Sequence, residues 1–292
     1  MHVITDETGR EICWHGTEEF PFEFYCDNLA EYDMGCIDWH WHPEVEFAYA
    51  EKNTVSCFVD GEKIVLAQGE GLFINSNALH KYESADGGLL PNFLFLPEFI
   101  APKDSVIFRN YVAPVIRSGV PYILMRDSAR IAVMRALKAV SLSGGELKEL
   151  HIHHLCETLW DALYRSGKGV FRWDAQSPVH DLSGYRVQAM MQYIRRQYAQ
   201  HIYLADIAAA AHVSKSEALR CFRATVHTTP VEYLIEYRLA TAARILKTEN
   251  MKISDVAERV GFENISYFCR VFKRKYGLSP GQYRLNIRRR SL

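Results

Sequence analysis

ISDVAERVGFENISYFCRVFKRKYGLSPGQYR, residues Ile253 to Arg284, falls into three short amphipathic segments separated by Gly261-Phe262 and by Gly277-Leu278-Ser279-Pro280. Two helices joined by a four-residue step are the pattern of a helix-turn-helix. In the second segment Phe268, Val271, Phe272 and Tyr276 recur at three- and four-residue spacing and form one buried face. The opposite face carries Ser266, Arg270, Lys273 and Arg274, with Tyr267 at its edge. A helix of this kind fits a major groove ~12 Å wide and brings side chains to base edges. Its cations neutralise phosphates.

The same pattern stands about fifty residues earlier, in IYLADIAAAAHVSKSEALRCFRATVHTTPVEYL, Ile202 to Leu234. Asp206, Ala208 and Val213 answer to Asp255, Ala257 and Phe262 at an offset of 49, whereas Ala218, Arg220, Phe222, Pro230 and Tyr233 answer to Phe268, Arg270, Phe272, Pro280 and Tyr283 at 50. The second copy therefore has one extra residue in its turn. Ser214 with Glu217, and Thr229 with Glu232, read as capping boxes, which makes Glu217 a cap rather than a base reader. Thr229-Pro230 and Ser279-Pro280 each set an N-cap before a proline at the first helical position. Between the copies, Pro230 to about Thr248 reads as one helix, with Leu234, Ile235, Arg238, Ala242, Ile245 and Leu246 along one side. As a rigid spacer it would set two recognition helices into successive major-groove segments roughly 34 Å apart.

These residues, and DVAERVGFENISYFCRVFKRKYGLSPGQYR above all, resemble the DNA-binding domain of the AraC/XylS family of bacterial transcription regulators over the final hundred or so residues. The first copy departs at His227, opposite Gly277, and at Ala218, where a larger apolar residue would fill the core. The resemblance implies a sequence-specific regulator of promoter DNA, activating by the family's usual mode together with RNA polymerase. On the two recognition helices the candidate DNA contacts are Lys215, Ser216, Arg220 and Arg223, then Asn264, Ser266, Tyr267, Arg270 and Arg274. Arg220 and Arg270 lead for guanine or phosphate.

Charge divides the same way. The chain has 292 residues and a formal net charge of −1, yet residues 1–182 hold 15 basic against 27 acidic residues and residues 183–292 hold 19 against 8. The basic part suits nucleic acid and the acidic part does not. The start, MHVITDETGREICWHG, reads as no secretory signal. No apolar run approaches the length of a membrane span, so no membrane partner is expected. Seven scattered cysteines without a CxxC pair suggest a reduced, cytoplasmic setting, with Cys221 packed inside its helix.

From about Phe22 to Phe95 the chain reads as short strands: Val55 to Val59, a hairpin turn at Asp60-Gly61, Lys63 to Leu66, then Leu72 to Ile74 after Gly69-Glu70-Gly71. That is a sandwich or barrel. Inside it, His40, His42 and Glu46 alternate so that one strand could turn all three to one side, with His80 following the glycine pair. The set resembles the two cupin motifs, although the proline before the second motif's glycine is absent and Asn75-Ser76-Asn77 fills the next turn. The resemblance implies an effector receptor whose His40, His42, Glu46 and His80 bind a small molecule such as a sugar, in a site without cofactor. A divalent metal on the same four side chains is the alternative. Trp39 and Trp41 would face the other side as packing residues, and Phe47, Tyr49, Phe58 and Tyr82 are aromatics open to either core or ligand.

After Phe95-Leu96-Pro97 the strand pattern stops and helices take over near Asp104 to Ile116, over Ser128 to Leu142, and over Glu146 to Arg165. Leu147, Leu150, Leu155, Leu159 and Leu163 make a stripe that packs on the barrel or, the favoured choice, on a twin in a homodimer. His151, His153 and His154 lack a partner to complete a metal site and read as surface or interface residues.

The expected architecture is α+β: residues 1–166 a cupin-like effector-binding and dimerisation domain, 167–184 a linker, and 185–292 an all-α domain with two helix-turn-helices. The chain reads as a non-enzymatic regulator. A metal-dependent cupin enzyme carrying a DNA-binding tail and an architectural DNA-binding protein are the rivals.

Overall fold

The computed structural model describes residues 10–12, 15–32, 35–167, 169, 171 and 183–290, with side chains omitted at 183–185 and 287–290. The chain forms two compact units, Met1–Gly184 and Tyr185–Leu292.

Among the described residues the first unit contains nine strands: β1 (Phe22–Asn28), β2 (Cys36–His40), β3 (Val45–Tyr49), β4 (Val55–Val59), β5 (Glu62–Leu66), β6 (Gly71–Ile74), β7 (His80–Glu83), β8 (Leu89–Phe95) and β9 (Tyr122–Met125). They pair antiparallel into a five-stranded sheet, β1-β8-β3-β6-β9, and a four-stranded sheet, β2-β7-β4-β5. Apart from the β4–β5 hairpin, which stays within one sheet, successive strands from β1 to β8 alternate between the two sheets as in a cupin-like jelly roll. The turn at Asp60-Gly61 has positive φ at both residues, 45° and 83°, and sets Val59 opposite Glu62, the hairpin that the dipeptide specifies.

Three helices follow: α1 (Ala113–Ile116), preceded by a wider turn over Phe108–Val112, then α2 (Ser128–Leu142) and α3 (Lys148–Ser166). Asp127 caps α2 by accepting from Arg130 N–H. β9 was not legible, because YILM lies alone between helical segments and becomes a strand only by pairing with β6, Ile74 opposite Tyr122.

β3 is buried along its whole length because both of its faces are covered. Val45, Phe47 and Tyr49 join Phe73, Phe93 and Phe95 under α2 and α3, where Met134, Leu137, Ile152, Cys156, Leu159, Trp160 and Leu163 close the core. Ala48, with Val55, Cys57, Leu72, Ile74, Tyr82 and Leu90, fills the space between the sheets. The aromatics therefore divide: Phe47 and Tyr49 belong to the helix-covered core, Tyr82 points inside, and Phe58 lies beyond the sandwich core with Trp39 and Lys81. Trp39 packs there as expected.

The preference for a dimer as what covers the α3 stripe is corrected for part of it. Leu159 and Leu163 are fully buried on the barrel and Leu155 packs beside them, while Leu147 and Leu150 are 54% and 62% exposed. His153 is used locally, its Nε2 2.9 Å from Phe99 O.

Of the expected linker, 168, 170 and 172–182 lie outside the described residues. Phe171 is buried and stacks on Tyr164, and the next helix starts at Ser183.

The second unit is helical: α4 (Ser183–Gln197), α5 (Leu204–Ala210), α6 (Lys215–Val226), α7 (Pro230–Thr248), α8 (Ile253–Arg259), α9 (Ile265–Tyr276) and α10 (Pro280–Arg290). Both repeats close their first helix alike: Val213 N–H donates to Ala208 O at 3.1 Å and Phe262 N–H to Ala257 O at 2.9 Å, around a left-handed His212 (φ 54°) or Gly261 (φ 83°). The extra residue of the second copy is then visible, since the N-cap Ser214 follows Val213 directly whereas Asn264 follows Phe262 after Glu263. The caps Thr229 and Glu232 exchange hydrogen bonds as a full capping box. Ser214 accepts from Glu217 N–H, but the Glu217 carboxylate does not return the bond; it is drawn to Arg186 and Arg220 instead. That half of the expected box is corrected by charge.

Candidate functional site

The first candidate site is the face that α6 and α9 present. On α9, Phe268, Val271 and Phe272 are buried against Leu239, Ala242, Leu246, Val256 and Phe262, which fixes the helix's rotation. Ser266, Arg270, Lys273 and Arg274 are consequently exposed, and Tyr267 is half-buried with the Arg270 guanidinium 5.3 Å from its ring centre. On α6, Ala218, Cys221 and Phe222 are buried, while Lys215, Ser216, Arg220 and Arg223 are exposed. Ala218 is fully buried, so the small residue does sit in the core. Asn264 is exposed but its carbonyl oxygen caps α9 by accepting from Tyr267 N–H at 2.9 Å. That leaves its amide N–H groups as the part able to reach outward.

Arg238, on the α7 stripe, serves the scaffold. Its Nε and Nη2 each donate over 2.7 Å, to Tyr198 O and Gln200 O, and the guanidinium lies 5.7 Å from the Phe262 ring centre. It thereby ties the 198–200 segment to the turn of the second repeat.

The second candidate site lies inside the barrel. His40 ends β2, His42 sits in the turn at Pro43, Glu46 is on β3 and His80 opens β7 opposite His40. The expectation of one strand carrying His40, His42 and Glu46 is corrected: β2 ends at His40 and β3 begins at Val45, and the three converge because the chain crosses from one sheet to the other between them. The following turn holds the crossing in place. Ser76 Oγ donates to Pro43 O at 2.6 Å, Asn77 N–H to His42 O at 2.9 Å, and buried Asn75 donates to Val115 O and Val120 O at 3.0 and 2.9 Å. The Asn75-Ser76-Asn77 departure from the cupin pattern is thus a brace for His42.

All four side chains are buried. Each histidine places Nδ1 on a backbone carbonyl, Asp38 O at 2.8 Å, Glu44 O at 3.2 Å and Ala78 O at 2.8 Å, which turns Nε2 toward the centre. His42 Nε2 and His80 Nε2 stand 3.5 and 3.2 Å from Glu46 Oε2 without hydrogen-bond alignment, and Tyr82 Oη donates to Glu46 Oε1 at 2.8 Å. Burial pushes the Glu46 carboxyl up, but the facing His42 and His80 imidazoles outweigh it and hold it well below the usual carboxylate range. Burial, then the neighbouring His80 and His42, pulls His40 far below an ordinary imidazole. Among the described residues, His40, His42 and His80 are the group whose metal-ligand atoms converge, all within 4.8 Å of one another.

Sequence spacing missed His15. It is buried, lies 3.1 Å from Tyr25 Oη, meets the His42 ring edge-on at 5.5 Å and faces Glu11 Oε2 at 3.4 Å. Burial lowers it, while Glu11, Glu44 and Glu46 outweigh burial and raise it. Its segment reaches the site through a bridge from Arg10 to Trp41, with Glu11 N–H donating to Trp41 O at 2.9 Å. No periodicity announces such a contact.

Residues 30–97 match the AraC-like ligand binding domain, and residues 207–286 match a helix-turn-helix domain family. A Bacillus subtilis (strain 168) protein, "Uncharacterized HTH-type transcriptional regulator YdeC", is 27% identical over 97% of this chain and 98% of its own length. The "HTH-type transcriptional activator RhaR" of Mannheimia succiniciproducens is 24% identical over 75% of this chain and 76% of its own. A crystal structure of ToxT from Vibrio cholerae O395 aligns with a TM-score of 0.39 at 13% identity, covering 90% of this chain and 93% of that one. Among the described residues no helix is long and apolar enough to cross a membrane. With a ligand-binding jelly roll and two helix-turn-helices in one chain, the protein belongs to the AraC/XylS family of transcription regulators.

Proposed function

We propose that this chain is a cytoplasmic, sequence-specific activator that binds promoter DNA through α6 and α9 and is controlled by a small polar effector, a sugar being one candidate, held at His40, His42, Glu46 and His80. The observation that carries the reading is the matched pair of recognition helices. Each buries its apolar face and leaves its cations outward, Arg220 and Arg223 on one and Arg270, Lys273 and Arg274 on the other. Phosphate contacts from these cations supply affinity, and base-edge contacts supply sequence.

Control requires the effector to bind one state of the regulator better than the other, and a coupling of about 1–3 kcal/mol would suffice. A homodimer through the exposed part of the α2–α3 hairpin, including Leu142, Leu147 and Leu150, would set two such units on one promoter and offer them to RNA polymerase. Footprinting of the full chain on its own upstream DNA, with and without candidate sugars, tests the reading. Sequence-specific protection altered by a ligand supports it; no protected sequence under any condition would end it.

A further inference from the structure

We propose that Glu217 and Tyr267, each one helical turn before a recognition arginine, are positioning residues that aim Arg220 and Arg270 at a base pair, and that each thereby sets the specificity of its own helix. The inference rests on the reading of α6 and α9 as DNA-recognition helices and deepens it.

The internal repeat carries the first argument. Glu217 and Tyr267 stand at equivalent places, 50 residues apart, as Arg220 and Arg270 do. Each is the third residue of its helix and donates its backbone N–H to the N-cap side chain, Glu217 to Ser214 Oγ at 3.2 Å and Tyr267 to Asn264 Oδ1 at 2.9 Å. Both are half-buried, and both arginines are exposed. A carboxylate and a phenol ring have little in common, yet each lies against the guanidinium three positions on. Glu217 accepts from Arg220 Nε and Nη2 in a fork at 2.8 and 2.7 Å, and the Arg270 guanidinium lies over the Tyr267 ring at 5.3 Å. Two unrelated chemistries at one place in the repeat share only this task.

Support from the scaffold is the second. An exposed ion pair standing alone is weak and holds neither side chain in place. Glu217 does not stand alone, because its Oε1 also accepts from Arg186 Nη1 of α4 at 2.9 Å and faces Cys221 Sγ at 3.5 Å. The Tyr267 ring packs 6.1 Å from the ring of buried Phe262. Each holder is thus fixed from behind, which orders a long side chain before DNA arrives and lowers the cost of ordering it on binding.

The third argument is what each contact leaves for DNA. The Glu217 fork engages the Nε and Nη2 edge of Arg220, so the end of the guanidinium, where Nη1 and Nη2 each carry a further N–H, is not part of it. Two parallel N–H groups from that end match guanine O6 and N7. The Glu217 carboxylate also repels phosphate and so favours the base over the backbone as the target of Arg220. On α9 the ring covers a face of the guanidinium and consumes none of its N–H groups, which leaves Arg270 the same bidentate contact. Tyr267 then acts through Arg270.

The test selects binding sites for the full chain from a random duplex library and sequences them, for wild type, Arg220→Ala, Glu217→Ala, Arg270→Ala, Tyr267→Leu and Tyr267→Phe. The wild type should select a guanine at two positions about one helical turn apart. Arg220→Ala should erase one of them and Arg270→Ala the other. Glu217→Ala, with Arg220 intact, should lose at least tenfold in preference at the Arg220 position alone, while its affinity for random duplex does not fall. Tyr267→Leu should do the same at the Arg270 position, and Tyr267→Phe, which keeps the ring, should retain the preference there. Circular dichroism checks folding; were Tyr267→Leu to unfold, the Glu217→Ala result still decides. An unchanged preference in Glu217→Ala or in folded Tyr267→Leu overturns the proposal. So does a loss spread evenly over the site, or an arginine variant that erases no position. A wild-type chain that selects no sequence overturns the DNA-recognition reading and the proposal with it, a failure told apart by the wild type alone.

Discussion

Glu217 holds Arg220 through two hydrogen bonds on the exposed face of α6, Nε to Oε2 at 2.8 Å and Nη2 to Oε1 at 2.7 Å, and takes a third from Arg186 of α4 at 2.9 Å. The Arg220 hydrogen bonds keep the Glu217 carboxyl down to about 2, so it stays ionised under working conditions. A carboxylate on this face competes with phosphate for Arg220. Glu217→Ala should strengthen binding to non-specific duplex and steepen the dependence of log affinity on log salt by about 1. Fluorescence anisotropy over a salt series reads both; an unchanged slope would remove Arg220 from the phosphate contacts.

Arg270 lies over the Tyr267 ring, its guanidinium 5.3 Å from the ring centre. Arg270→Ala should cost about 1–3 kcal/mol at the specific site if it reads a base, and much less on random DNA. Lys273→Ala should instead weaken both alike. Competition assays with specific and random duplex separate the two patterns. Equal losses in the Arg270 variant would make that residue a phosphate contact only.

Gly261 and Gly277 both have positive φ, 83° and 72°, but their surroundings differ. A Cβ on Gly261 would stand 2.7 Å from Tyr198 O and 2.9 Å from Ala199 O, whereas one on Gly277 meets nothing within 4 Å. Gly277→Ala should cost about 1–2 kcal/mol, the backbone strain alone. Gly261→Ala should cost more, because backbone must also move. The first repeat tolerates His227 at the position of Gly277, with φ 54°, which fits the smaller of the two penalties. Urea unfolding followed by circular dichroism ranks the variants; equal losses would mean the Gly261 contacts yield easily.

Leu159 and Leu150 separate core from surface on one helix. Leu159 is fully buried on the barrel and Leu150 is 62% exposed. Leu159→Ala should lose about 2–5 kcal/mol of stability. Leu150→Ala should leave stability nearly unchanged and, if the hairpin joins two chains, weaken self-association in sedimentation velocity. A sedimentation profile identical to wild type would move the dimer contact elsewhere.

At the start of α7, the Glu232 carboxyl is held below its ordinary 4.5 by hydrogen bonds from the Thr229 side chain and backbone. The folded state binds the proton less readily than the unfolded chain, so this stabilisation is present above about pH 4.5 and fades as pH falls through the lower folded value. Thr229→Ala should cost about 1 kcal/mol near neutral pH. The gap from wild type should narrow in acid, as urea melts at several pH values will show; a gap independent of pH would assign the loss to the hydroxyl's bond to Glu232 N–H alone.

Local signals carried much of this protein. The caps at Ser214, Thr229 and Asn264 and the Asp60-Gly61 hairpin all lie within a few residues of their own hydrogen-bond partners. The face of α9 was likewise legible, because a 3.6-residue period states which side chains share a side. Period does not state what will cover that side, and here tertiary structure decided. Phe47 went under the helices while Tyr82 went inside, β9 existed only once β6 could pair it, and Leu159 met the barrel where Leu150 met solvent. Charge and burial then reassigned side chains whose spacing suggested something else: Glu217 left its capping box for two arginines, and His42 joined Glu46 across a proline turn rather than along a strand. His15 reached them from a segment with no pattern at all. The elements and their faces were legible because they depend on neighbours along the chain; the barrel site needed residues that only folding brings within a few ångströms.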